Sequence, residues 1–185
     1  MRRGILLGLL VLAMLPTAAG AKDLAVEFVG TAQLMTPGEV AALAARFPDL
    51  PADIRDIMLD ADTLCFEVPM YGAENRLFLG TGLDCLFNIA ADPSGAVILE
   101  AISAFRFRFS GTIWARGNTT VSPLLAPHSA GATHSTGGWT TEPNVFLTTG
   151  TFSDYLGTTR LSGLVDLTAF PGEMGFRCLW QIYLE

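Results

Sequence analysis

The chain has 185 residues, 50% of them hydrophobic and 16% charged, with 11 Lys and Arg against 18 Asp and Glu. That length fits one ordinary domain, which buries about two-thirds of its unfolded surface and needs neither a metal nor a dense disulfide framework to hold a core. The acidic balance excludes a nucleic-acid binder, which needs a basic stripe for phosphate.

Arg2 and Arg3 open the chain, Ile5 to Leu15 is an almost unbroken apolar run, Pro16 ends it, and Ala19-Gly20-Ala21 offers a small-x-small cleavage site. These are the parts of a secretory signal peptide over residues 1–21. As a helix the run reaches only about 16 Å, against a hydrocarbon core of roughly 30 Å, so it does not read as an anchor. No Cys lies near the site for lipid attachment, and the arginine pair lacks the polar flank of a twin-arginine signal. Removing residues 1–21, which hold two Arg and no acid, leaves 164 residues with 9 basic groups against 18 acidic ones, a formal charge of −9. No other segment approaches spanning length. The mature chain is expected to be soluble and exported, periplasmic or extracellular.

Residues 22–62 read as an acidic, partly helical segment with a short strand at 24–29. Thr36-Pro37-Gly38-Glu39 has the form of a capping box: Thr36 accepts a backbone N–H, Pro37 suits the first turn, and Glu39 reaches back to the cap. The helix it starts runs through Arg46 until Phe47-Pro48 stops it. A second helix begins after Asp49 to Pro51. It sets Ile54, Ile57, Met58 and Leu59 near one face and Asp53, Asp56 and Asp60 on another, which reads as a solvated face. The acids do not make a calcium loop, since a loop starting at Asp60 has Cys65 where the turn glycine belongs.

From 63 to 185 the texture is β. Alternation, β-branched and aromatic residues, and Gly and Pro punctuation mark strands near 63–68, 77–90, 97–109, 112–122, 144–152, 158–169 and 175–184. Phe170-Pro171-Gly172-Glu173 fits a type II turn, making the last two strands a hairpin. With the strand at 24–29 the count is about eight. Consecutive antiparallel strands in this number point to a barrel or a sandwich rather than to parallel units; a mainly β, antiparallel barrel over 63–185, preceded by one or two short helices, is the expected fold. Residues 123–143, rich in Pro, Ser, Gly and Thr and holding His128 and His134, form a long loop, either a lid or a disordered excursion.

Gly82-Leu83-Asp84-Cys85-Leu86-Phe87-Asn88-Ile89 aligns without a gap to Gly175-Phe176-Arg177-Cys178-Leu179-Trp180-Gln181-Ile182. A period of two puts Leu83, Cys85, Phe87 and Ile89 on one face, and Phe176, Cys178, Trp180 and Ile182 on its counterpart, so that both cysteines are expected to point inward. Three cysteines leave one over. Shared phase favours Cys85 with Cys178; a hairpin centred on Asn75 would set Cys65 opposite Cys85, and that pairing stands as the alternative. Either bond adds roughly 2 to 4 kcal/mol.

No G-x-S-x-G, Walker loop, dinucleotide fingerprint or C-x-x-C occurs, and His128 and His134 sit at a spacing that fits no zinc pattern. No metal and no cofactor is expected. Asp154, Asp166, Glu67 and Glu100 are the acids a glycosidase pair would draw on, each placed better at the surface. In Phe105-Arg106-Phe107-Arg108-Phe109, alternation sends the phenylalanines to one side and the arginines to the other. Burial preference puts Phe in the core and Arg in solvent. The functional reading inverts this: Arg106 or Arg108 would hold a carboxylate inside an apolar interior lined by Phe87, Trp114, Trp139 and Trp180.

Thr149-Gly150-Thr151-Phe152, Leu156-Gly157 and Leu161-Ser162-Gly163 resemble the stretch of allene oxide cyclase and dirigent-type barrels in which a Gly-x-Phe strand, a Gly turn and a following strand recur. The resemblance covers about fifteen residues. It implies an eight-stranded, calycin-like antiparallel barrel with an apolar cavity and a role with small lipophilic molecules. No catalytic residue of those families matches a position here. The expected function is an exported protein that binds a small apolar or amphipathic ligand without catalysis, using Phe87, Arg106, Arg108, Trp114 and Trp180. The alternatives are a cyclase- or isomerase-like enzyme using the same cavity, and a surface-interaction protein with a filled core.

Overall fold

Side-chain alternation builds most of this molecule. The computed structural model describes residues 21–126, 131–138 and 140–185. Its strands are β1 (Lys22–Gln33), β2 (Leu64–Gly72), β3 (Phe78–Ala91), β4 (Val97–Phe107), β5 (Gly111–Pro123), β6 (His134–Gly138), β7 (Val145–Thr148), β8 (Gly157–Asp166) and β9 (Glu173–Leu184). They form one antiparallel sheet in the order β4-β3-β2-β1-β9-β8-β6-β5, and pairing of β4 with β5 closes these eight into a ring. The ninth, β7, sits between β5 and β8 at the other end of the gap that β6 fills. Residues 1–20 of the expected signal segment 1–21, His128 and Trp139 lie outside the described residues.

The mainly β, antiparallel expectation holds, and three local ones need correction. β1 is longer than the expected 24–29; it pairs over all 12 of its residues with β9, from Lys22 opposite Leu184 to Gln33 opposite Glu173, and Val26 to Phe28 also pair with β2. Within the expected 123–143 loop, residues 134–138 are a strand, held by β5 on one side and β8 on the other. His-Ser-Thr-Gly-Gly carries no apolar alternation, so its partners rather than its own residues reveal it. The strand expected at 144–152 ends at Thr148. A 3-10 turn follows at Gly150–Phe152, with Gly150 at φ +66°, a conformation that suits glycine.

The β8–β9 hairpin forms as expected, but not through a type II turn. The Phe170–Pro171 peptide is cis and Gly172 is not at positive φ. Phe170 instead lays its ring on Phe66 of the core, with centroids 6.3 Å apart.

Helices α1 (Pro37–Ala44) and α2 (Ala52–Leu59) join β1 to β2. The capping box is present: the Glu39 N–H donates to Thr36 Oγ1 at 3.3 Å, and the Thr36 N–H donates to Glu39 Oε2 at 2.8 Å. Arg55 Nη2 donates to the carbonyls of Phe47 and Pro48, tying α2 to the end of α1. Asp53, Asp56 and Asp60 are exposed, as a solvated face requires. Among the described residues no helix is long and apolar enough to cross a membrane.

These helices cover the outside of the ring at β2 to β5. Val40, Leu43, Leu50, Ile54 and Met58 pack there on Cys65, Leu83, Cys85, Phe87, Ile102 and Trp114, while the interior holds Phe28, Phe66, Leu86, Phe105, Ile113, Cys178 and Trp180. β3 is therefore buried on both faces. Cys85 looks outward under the helices and Cys178 looks inward, so the wall of the sheet separates them and the expected Cys85–Cys178 bond does not form. The disulfide is Cys65–Cys85, between residues directly opposite in the β2–β3 register, and Cys178 is a buried free thiol.

Candidate functional site

The ring encloses a cavity of about 150 Å³ whose walls are almost wholly apolar. It begins where β3 runs towards β4 and β8 towards β9, among Ile89, Val97, Leu167 and Phe170, and continues inward to Phe28, Asp84, Cys178 and Trp180. Ile89 is 42% exposed, which marks this as the open end. The rings of Phe28, Phe105 and Trp180, with centroids 5.2 to 5.7 Å apart, close it below. Gly82 makes room for that cluster, since a Cβ there would lie 2.2 Å from Phe28 Cζ.

Polar groups concentrate at the inner end. Asp84, 7% exposed, accepts a 2.7 Å hydrogen bond from the Ser103 hydroxyl, its cross-strand neighbour on β4. Burial pushes the carboxyl up to about 7, with the Ser103 hydrogen bond working against the shift. Near neutral pH it is thus divided between an acid that donates and a carboxylate that accepts. Burial, followed by the charge on Asp84, pushes the Cys178 thiol up to about 12, and its S–H donates to the Leu164 carbonyl at 3.7 Å. A thiol so placed stays protonated and is a poor nucleophile. The indole Nε1 of Trp180 is buried and finds no hydrogen-bond partner among the described residues.

Beside the cavity, at the seam between β5 and β8, a space of about 30 Å³ lies among Ser103, Trp180, Arg116 and Asn144, large enough to admit water. Asn144 bridges that seam. Its backbone N–H donates to the Gly157 carbonyl, its own carbonyl accepts from Arg116, its side-chain oxygen accepts from the Thr159 N–H at 2.7 Å, and its side-chain nitrogen donates to Thr159 Oγ1 at 3.0 Å. One side chain here does the work of a strand's peptide unit.

No family model, curated protein or solved structure matches this chain. Its cavity is read from its own chemistry.

Of the five residues expected to bind a ligand, Trp180 alone lines this cavity. Phe87 and Trp114 belong to the outer core, where the Trp114 ring meets Phe47 edge-on at 5.1 Å and the Arg116 guanidinium lies 5.2 Å from the Phe87 ring. Arg106 shares the outward phase of Ile102 and Ala104; it contacts Glu67 at 2.6 Å and donates to Thr81 Oγ1. Arg108, exposed beyond the end of β4, stacks over Phe78 and Phe109. Arg106 is thus largely covered on the outer face and Arg108 is in solvent, with Phe105 inside, and neither arginine lines the cavity as the inverted reading of this segment requires.

Asp84 was missed because its alignment with Arg177 makes both look like outward charges. The two segments face opposite ways, so Arg177 is exposed and Asp84 is enclosed. The signal was an acid inside the run Leu83-Asp84-Cys85-Leu86-Phe87, where apolar residues occupy both phases and leave no solvent face for a charge.

Proposed function

We propose that the eight-strand ring is a calycin-like barrel that binds one small apolar molecule in its interior, in a protein exported to an oxidising compartment. The observation that carries this is the cavity of about 150 Å³ running from Ile89 to Trp180. An apolar void of roughly 150 Å³ in another protein core stays dry and takes up benzene, so a single ring or a short branched chain matches the space. The Cys65–Cys85 disulfide and the signal-like start of the chain support export.

Native mass spectrometry of the protein purified from the exported fraction, with denaturing extraction of what co-purifies, tests this. A stoichiometric small lipophile, or uptake of one benzene per chain, is the expected result. A clean apo mass that benzene and other small lipophiles leave unchanged would sink the proposal and favour a filled core with an interaction role.

A second reading, isomerase-like catalysis in the same cavity, no longer has arginines to draw on and rests on Asp84. A carboxyl that titrates near neutrality both gives and takes a proton. This reading expects the added lipophile to be recovered chemically altered, and Asp84→Asn to abolish the conversion.

A further inference from the structure

Trp180, a lining residue at the inner end of the cavity, carries a hydrogen-bond donor without a partner among the described residues. Trp180 is 5% exposed and its indole N–H has no partner among the described residues, although buried donors are nearly always paired. Asp84 lines the same cavity with one oxygen already taken by Ser103. The neighbouring Cys178 thiol is engaged with the Leu164 carbonyl and does not compete.

An indole N–H only donates, so its partner in a ligand must accept. A hydrocarbon leaves it unmet, an ammonium group repeats its charge sense, and a carboxylate faces both the apolar wall and the Asp84 charge. We propose that the cavity holds small cyclic molecules bearing one carbonyl oxygen, seated with that oxygen on Trp180 Nε1–H and next to the Asp84 carboxyl. This rests on the ligand-binding reading above and narrows it to a ligand class. In its protonated form Asp84 offers the same oxygen a second donor.

Cyclohexanone and methylenecyclohexane, rings of like shape with and without the oxygen, are the probes. Each is titrated into the mature protein labelled with nitrogen-15, and the three indole N–H signals are followed by NMR. Cyclohexanone is expected to move the Trp180 indole proton downfield, and methylenecyclohexane to leave it near its starting position. Trp180→Phe, which keeps an aromatic ring without the donor, is expected to weaken cyclohexanone about tenfold and to leave methylenecyclohexane nearly unchanged. A Trp180 signal that responds alike to both probes overturns the proposal while leaving the cavity as a site. Entry of neither probe overturns the cavity reading and this proposal together. Should Trp180→Phe fail to fold, the wild-type shifts decide alone.

Discussion

Cys85 and Cys178 occupy equivalent places in two strands of like sequence, yet they stand on opposite sides of the sheet. Cys85 is bonded to Cys65 beneath the helices, and Cys178 faces the interior as a thiol. The native protein should therefore show no thiol to Ellman's reagent and one after unfolding in guanidinium without reductant. The disulfide-linked fragment should join the peptides that contain Cys65 and Cys85. Replacing both by alanine, which opens a loop 20 residues long, should cost about 3 kcal/mol in urea unfolding.

Asp84 makes stability depend on pH. Burial raises its carboxyl to about 7 in the folded chain, against 3.8 for an ordinary aspartate. Between those values the folded state binds more protons than the unfolded one. Stability contributed by the neutral form is full below about pH 4, falls as pH rises, and is lost above about pH 7, a swing on the order of 4 kcal/mol. Urea unfolding of the wild type from pH 4 to 8 should show that decline, and Asp84→Asn should flatten it and exceed the wild type at pH 8.

Trp114 and Trp180 should separate stability from binding. Trp114 is fully buried between the ring and Phe47, away from the cavity. Trp114→Ala should cost about 3 to 5 kcal/mol, while the more conservative Trp114→Phe should leave benzene uptake unchanged. A loss of uptake in folded Trp114→Phe would contradict its assignment to the outer core.

Asn144 should behave as a seam residue. Asn144→Ala removes two hydrogen bonds to Thr159 and is expected to cost about 2 kcal/mol in thermal unfolding. Hydrogen exchange gives the sharper check: the Thr159 amide should lose protection far more than its β8 neighbours Leu161 and Gly163, whose pairing with β6 is untouched.

What the sequence revealed depended on how each strand is buried. β9 alternates cleanly, with Phe176, Cys178, Trp180 and Ile182 inside, and its face was read correctly. β3 is covered on both sides, so alternation carries no information about which side is which, and the orientations of Cys85, Phe87 and Asp84 were lost together. β6 escaped notice because small polar residues give no pattern. Trp114 looked like a cavity residue because an aromatic in a strand reads the same inside the ring or under a helix, and only the placement of α1 and α2 distinguishes the two. The capping box at Thr36, by contrast, is local chemistry and was legible outright.

The pairing of β1 with β9 carries a consequence for how the chain acquires its shape. Leu24 lies opposite Ile182 and Phe28 opposite Cys178, contacts separated by nearly the whole described sequence. Such long-range pairings are slow to form, because chain closure must precede the contacts that reward it. During synthesis β1 can meet β2 early, but its other edge has no partner until β9 has been made. Closure of the ring thus waits for β9, and until β9 is in place one edge of β1 stays open.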